Sequence, residues 1–318
     1  MQSYTHFTLT ERESLSKLRA QGLSNGQIAK ILGRDKSSIG REIKRNGNKN
    51  GTYRELKATI LYLRRRKKCR RRRRLESDES LRQYVEEKLK KTWTPEMITA
   101  RWKVANPAAK LSATTIYAAV KKGRLSADIS ARTHLRRRAK RKSGTRGKAT
   151  IKPAHTIHDR PEEAEKRLRL GDIEGDTVSG AIGKGAVLTL VDRKSRFLYA
   201  TLLKSRDSDL TKAAIKTIIE GKDIKSITLD KGSEFARHQD IEDETNVIIY
   251  FADPHSPWQR GTNENTNDIL RFFYPKGTDF HEVTETELQD TVTLINNRPK
   301  KCLDWLSPLE FLSSTCCT

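Results

Sequence analysis

Three carboxylates stand at alternate positions of GDIEGDTVSG, residues 171–180: Asp172, Glu174 and Asp176. Extended backbone would aim all three at one face. Further along, Asp230 follows the apolar run ITL and precedes Gly232, and Glu264 follows a loop carrying Pro254, Pro257 and Gly261. Acids on separate chain elements suit a hard, oxygen-seeking ion such as Mg2+. Two such ions about 4 Å apart can activate an attacking oxygen and stabilise a leaving oxygen at a phosphodiester. By pattern alone, Asp176, Asp230 and Glu264 are one of many combinations in a half that holds 28 acids.

The elements that must position these acids follow from periodicity. AVLTLVDRKSRFLYATLLK (186–204) has two β-rich runs around a polar turn, which predicts a hairpin. Residues 207–221 predict an amphipathic helix with Leu210, Ala214 and Ile218 inward. Residues 224–235 predict a short buried strand breaking at Asp230, and 247–253 another strand. Helices are expected over 258–273, with Glu264 early in the first of them, and over 285–297. That order is consistent with an α/β layer fold.

Charge divides the chain. Residues 1–150 hold 41 basic and 12 acidic residues, whereas 151–318 hold 23 and 28. The whole positive excess therefore lies in the first half, which matches a polyanion such as phosphate backbone. Within it, TLTERESLSKLRAQGLSNGQIAKILGRDKSSIGREIKRN (8–46) reads as three short helices. Leu15 and Leu18 share one face of the first, which Gly22 ends. Ser24 caps the second, with Ile28, Ile31 and Leu32 inward and Gly33 closing it. Asp35 caps the third, with Ile39 and Ile43 inward. This is the helix-turn-helix plan, and its third helix would present Lys36, Ser37, Ser38, Arg41 and Arg45 to the major groove of double-stranded DNA.

A weaker copy occupies 93–123. Thr94 caps a helix with Pro95 at its first position and Ile98 and Trp102 inward; Ser112 starts another with Ile116 and Val120 inward. Thr114, Thr115, Lys121 and Lys122 would face outward, and Gly123 stops the helix. Two basic runs, 63–75 and 132–148, are expected to stay disordered without DNA phosphate to contact.

Several classes are excluded or set aside. There is no apolar run of about 18 residues and no signal-peptide pattern, so neither membrane insertion nor secretion is expected. Cys69, Cys302, Cys316 and Cys317 form no zinc-type spacing, which leaves reduced cytosolic thiols.

The wording GDIEGDTVSG, LVDRKSRFLYA, ITLDKGSEF, FADPHSPWQRGTNENTNDILRFFYPKGTDF and NNRPKKCLDWLSPLEF, in that order, closely resembles DDE transposases of the family named after insertion sequence thirty. IAKILGRDKSSIGREIKRN resembles that family's helix-turn-helix. The likeness covers most of the chain and is weakest across 50–90 and 125–150. It implies a multidomain protein: all-α helix-turn-helix DNA-binding domains at the N-terminus, then an α/β ribonuclease-H-like, retroviral-integrase-like catalytic domain. The boundaries expected are a helix-turn-helix domain at 1–50, a basic linker at 51–80, a second helical DNA-binding domain at 81–125, a linker at 126–168 and the catalytic domain at 169–318.

Carried across motif by motif, the resemblance assigns catalysis and metal binding to Asp176, Asp230 and Glu264. The 33 residues 231–263 separate the last two, as the family's DD(33)E signature expects. Arg271, two helical turns after Glu264, matches a basic residue placed to hold a phosphate. Asp172, Glu174, Glu234 and Asp253 are left as supporting or structural acids. His255 departs from the family's tyrosine and either tunes DNA contacts or caps a loop; Asp268 stands where relatives carry small residues and has a supporting or exposed role. The implied activity is a transposase that binds terminal inverted repeats and performs cleavage and strand transfer with Mg2+, two ions, Mn2+ being able to substitute. No covalent protein–DNA intermediate forms. Partners would be terminal-repeat and target DNA and further copies of the chain, as a homodimer or higher synaptic assembly, in the cytoplasm on the nucleoid. The rival from another class is a DNA-binding regulator with a catalytically inactive C-terminal half, which would tolerate loss of any of the three acids. A nuclease that cuts without joining would share the acids. A serine recombinase would need an arginine-flanked nucleophilic serine, which the sequence does not offer.

Overall fold

The computed structural model describes residues 5–48, 52–69, 73–130, 154–254 and 256–315. The chain divides into two compact units, Met1–Asp78 and Glu79–Thr318. The expectation for His255, that for Cys316 and Cys317, and that for the basic run 132–148 lie outside the described residues. No helix among the described residues is long and apolar enough to cross a membrane.

The first unit is helical. Helices α1 (Leu9–Ala20), α2 (Asn25–Leu32) and α3 (Lys36–Asn46) begin at Thr8, Ser24 and Asp35, each of whose side chains accepts a backbone N–H of its own first turn. Their core gathers Leu15, Ile28, Ala29 and Ile39 with Leu18, Leu32 and Ile43 at its margin. Ile31 does not join it and is 58% exposed. Helical geometry explains the miss. The inward arc of α2 centres on Ile28, Ala29 and Leu32, and position 31 falls off its edge. Arg12 and Glu42 are buried against one another at 2.7 Å, and Tyr53 donates its hydroxyl hydrogen to the same carboxylate. A buried charge is tolerated when so paired.

Helix α4 (Glu55–Cys69) overturns the expected disorder for the start of the first basic run, since Arg64 to Cys69 are helical. Arginine and lysine are good helix formers. Ala58 anchors the helix in the core, and Arg65 donates to the carbonyl of Arg45 and to Asn46 at the end of α3. A short helix, α5 (Arg74–Ser77), follows.

In the second unit, helices α6 (Glu79–Lys90), α7 (Pro95–Ala105) and α8 (Ala113–Lys121) come first. Thr94 and Ser112 cap the last two, and Ile98, Ile116 and Val120 are buried. Trp102 packs its ring against Tyr84. Polar contacts tie these helices to the rest of the unit. Arg101 reaches Glu310 at 2.5 Å, and Arg298 donates to Thr92.

The remainder is a six-stranded mixed sheet between helical layers. After β1 (His155–Thr156) and the short α9 (Glu162–Glu165) come β2 (Asp172–Ser179), β3 (Ala186–Asp192) and β4 (Leu198–Leu203), each paired antiparallel with the next; β3–β4 is the hairpin that the pattern predicts. Helix α10 (Ser208–Ile219), β5 (Ser226–Leu229), α11 (His238–Thr245), β6 (Ile248–Phe251), α12 (Gly261–Phe273), α13 (Glu285–Asn296) and α14 (Pro308–Thr315) complete it. Sheet order is β1-β6-β5-β2-β3-β4, with β5 parallel to both β2 and β6. α10 and α11 cover one face with Ile215, Ile219 and Ile241 over Ile173, Leu188 and Leu190. α12 and α13 cover the other with Ile269, Leu270, Leu288 and Val292 over Val178, Val187 and Val191.

Leu210 is another correction. It is 43% exposed, and the inward stripe of α10 is Thr211, Ile215 and Ile219 with Ala214 and Ile218 flanking. Positions four apart share a face, and Leu210 lies well round the helix from Ile215.

Gly175 sits between two acids on β2. A Cβ there would meet Leu229 Cδ2 at 2.5 Å and Leu190 Cδ2 at 3.0 Å. Gly175→Ala is therefore expected to destabilise the second unit by about 1–3 kcal/mol, the usual effect of overpacking. Denaturant midpoints of the two proteins check it, and equal midpoints would show that the leucines yield freely.

Candidate active site

Alternation along β2 sends Ile173, Gly175 and Thr177 to the α10 side and Asp172, Glu174, Asp176 and Val178 to the α12 side. The four acid or apolar side chains on that second face have different surroundings. Asp172 is buried against Arg169 and accepts from Ser226. Glu174 is buried, paired with Arg193 at 2.6 Å, and accepts the backbone N–H of Asn263. Both are supports within the sheet, their charges used up by partners.

Asp176 is the open member, its side chain 29% exposed. Its neighbour follows from register. β2 and β5 run parallel with Glu174 opposite Thr228, so two residues further on Asp176 comes alongside Asp230, just past the end of β5. The Arg260 guanidinium bridges the pair, with Nη2 2.9 Å from Asp230 and Nη1 3.7 Å from Asp176. Nη1 also donates to the carbonyl of Gly175, while Nε is buried without a hydrogen-bond partner. Asn267 and the Thr177 amide both donate to Asp176, and the Gly232 amide donates to Asp230. Surrounding protein raises the Asp176 pKa; Arg260 opposes that, and the charges of Asp230 and Glu234 add to it.

Glu264 lies in the first turn of α12, one turn after Arg260 and one before Asn267 and Asp268. Helical spacing puts it on the stripe from which Asn267 and Arg271 reach Asp176 and the carbonyl of Ser179. The structure does not gather Asp176, Asp230 and Glu264 into a ready-made cluster. Among the described residues, no three His, Cys, Asp or Glu side chains form a group able to hold a metal ion. The paired carboxylates nonetheless present hard oxygen donors and already hold one cationic group, so a divalent cation fits them chemically.

Arg271 donates to the Ser179 carbonyl at 2.6 Å, and burial presses its pKa down while Asp176 opposes that. Glu234 is buried, accepting from Thr177 and Arg206. Asp253 is held by Gln259 and His158, and Asp268 is exposed. Arg260 and Asn267 were not among the expected site residues. Their signal was present as positions four before and three after Glu264 on one helical face, but a search for carboxylates passes over it.

At the other end of the chain, Lys36, Ser37, Arg41 and Arg45 are exposed on α3 and Ser38 is half-buried; Arg41 folds back onto Ser37 and Ser38. On α8, Thr114 and Lys121 are exposed, and Thr115 shares a hydrogen bond with the capping Ser112.

Residues 3–46 match the family described as a helix-turn-helix domain, and residues 169–257 match the integrase core domain. Among solved structures, the catalytic core domain of BIV integrase matches at 16% identity and a TM-score of 0.37, covering 46% of this chain and 97% of that one. Relatives include the transposase for insertion sequence element IS1086 of Cupriavidus metallidurans, 36% identical over 98% of this chain and 95% of its own. The transposase for IS4351 of Bacteroides fragilis is 35% identical over 96% and 94%. Transposase InsI for IS30A of Escherichia coli is 36% identical over 96% and 83%. With a DNA-reading domain before an integrase core and relatives spanning both, this chain belongs to the transposase family of IS30-type insertion sequences.

Proposed function

We propose that this transposase cuts DNA at the terminal inverted repeats of its insertion sequence and joins the freed 3′ ends to target DNA, with Asp176, Asp230 and Glu264 as the acids that hold two Mg2+ ions or, in their place, Mn2+. The observation that carries this reading is the side-by-side placement of Asp176 and Asp230 across β2 and β5, with a guanidinium between them. Bound there, such ions would supply charge stabilisation at the attacking and leaving oxygens.

The chain's own groups do the rest. Asn267 and the amides of Thr177 and Gly232 hold the orientation of the two aspartates. Arg271, anchored on Ser179, would hold a phosphate oxygen. In the cut, a water oxygen bonds to phosphorus as the bond to the 3′-oxygen breaks, leaving a 3′-hydroxyl. In the transfer, that hydroxyl bonds to a second phosphorus and displaces another 3′-oxygen. One P–O bond forms for each that breaks, so no side-chain nucleophile and no covalent protein–DNA link is required. Holding two ends at once calls for a homodimer or larger assembly.

Labelled DNA from the flanks of the chain's own reading frame, incubated with Mg2+ or EDTA, tests this. Metal-dependent 3′-hydroxyl ends at one position, with strand-joined products, are expected. Tight specific binding without cutting under any metal would favour a regulator instead.

End recognition is assigned to Lys36, Ser37, Ser38, Arg41 and Arg45 of α3, with Thr114, Thr115 and Lys121 of α8 as a second contact. Arg41→Ala is expected to weaken binding to end DNA by about 1–3 kcal/mol, the discrimination of one base contact, while random DNA is bound as before. Equal loss on both DNAs would leave Arg41 a phosphate contact.

A further inference from the structure

The turn between β2 and β3, residues 180–185 (GAIGKG), caps a cavity of about 330 Å3 that the proposed chemistry does not use. Its lining includes Lys184, Lys204 and Arg206 and no acidic residue. The turn is slender of necessity. A Cβ at Gly180 would lie 2.6 Å from the carbonyl oxygen of Thr278, and Gly185 has φ +70 with a carbonyl oxygen 2.8 Å from where its Cβ would stand. At the tip, Ile182 is fully exposed. Lys184 pairs with Asp279 at 2.7 Å yet is half-exposed, and Arg206 spans Glu234 and the Ser179 hydroxyl.

The cavity begins at Ser179, on the same strand as Asp176. Ser179 ends β2 three residues after Asp176, or about 10 Å along an extended strand. Its carbonyl accepts from Arg271 and its hydroxyl from Arg206, whose other partner, Glu234, also accepts from Thr177 beside Asp176. A DNA strand rises about 3.4 Å per nucleotide. A strand whose phosphate is cut at Asp176 and that follows β2 would pass this cavity about three nucleotides away.

We propose that the cavity under the 180–185 turn holds the phosphodiester backbone of the cut strand about three nucleotides from the scissile phosphate, with Lys204 on the phosphate and Ile182 wedged against the neighbouring base step. It rests on the assignment of Asp176 to the cutting site. Charge complementarity selects the occupant: Lys184 and Arg206 are paired with Asp279 and Glu234, and Lys204 gives the cleft the positive charge that suits a phosphate. An isolated apolar side chain on a narrow turn is also the shape that unstacks bases when pressed into a groove.

The test measures binding of the full chain to end DNA in EDTA across a salt series. Lys204→Ala is expected to weaken binding several-fold and to lower the slope of log affinity against log salt by about 1. A neutral methylphosphonate placed three nucleotides from the mapped cut should weaken binding of the unaltered protein equally, and Lys204→Ala should then add nothing. With 2-aminopurine at that step, Ile182→Gly should remove a fluorescence rise that the unaltered protein produces. An unchanged slope, or a Lys204→Ala loss that persists over the methylphosphonate, would overturn the proposal. The salt slope is read without cutting, so failure of Asp176 and Asp230 to act in cleavage would show separately.

Discussion

Asp230→Asn is expected to leave affinity for end DNA unchanged and to reduce cutting by about 1,000-fold or more. The amide keeps the size of the carboxylate and can still accept from the Gly232 amide through its single oxygen, while its NH2 group replaces the oxygen that accepted from Arg260. What it loses is the charge that the proposed divalent cation would need across β2 and β5. A bound ion contributes several kcal/mol of transition-state stabilisation, and each 1.36 kcal/mol is tenfold in rate. Single-turnover cutting of labelled end DNA in Mg2+, beside a binding titration in EDTA, separates the two effects. A variant that cuts at the original rate would remove Asp230 from the machinery, and one that no longer binds DNA would point to a structural lesion.

Arg260→Gln is expected to tighten binding of Mn2+ to the metal-free protein by about 10- to 100-fold. In the structure, the guanidinium takes the carboxylate oxygens that a metal ion would need, from 2.9 Å on Asp230 and 3.7 Å on Asp176. A charge-assisted hydrogen bond is worth about 1.5–3 kcal/mol, and that contact must be given up before an ion can enter. The arginine is incompletely satisfied where it lies, since its Nε is buried without a partner. Without metal, the same variant should melt at a lower temperature, because two like charges then face one another with no counter-charge. Calorimetric titration with Mn2+ and melting curves read both effects without any need for cutting. An unchanged or weaker affinity in a variant that remains folded would mean that guanidinium and metal do not compete for these oxygens.

Much of this was legible in the residue pattern. Thr8, Ser24, Asp35, Thr94 and Ser112 each precede a helical period and each caps a helix, because capping depends on residues within one turn. Two apolar runs flanking DRKSR formed the hairpin β3–β4 for an equally local reason. What escaped depends on elements far apart in the chain. Asp172 and Asp176 look alike along the strand. One is neutralised by Arg169 and Ser226 and the other is not, a difference set by what packs over each. The place of Arg260 requires β5 to lie beside β2 and a loop from beyond β6 to return over both. Arg12, Glu42 and Tyr53 meet across separate segments in the same way. Ile31 and Leu210 were misplaced because periodicity identifies an apolar stripe but leaves its centre uncertain by about a residue.

Gly175 changes how a mutational map of this transposase should be interpreted. It stands between Glu174 and Asp176 and has no room for a methyl group. Scored by loss of transposition in cells, every substitution at Gly175 would look as severe as one at Asp176, and the two would merge into one apparent catalytic stretch. Their causes differ, so a second score for soluble protein would split them. Asp176 variants would accumulate to normal levels without activity, whereas Gly175 variants would be lost from the soluble pool. A smaller partner at Leu190 or Leu229 should restore Gly175→Ala, and no change in packing should restore Asp176.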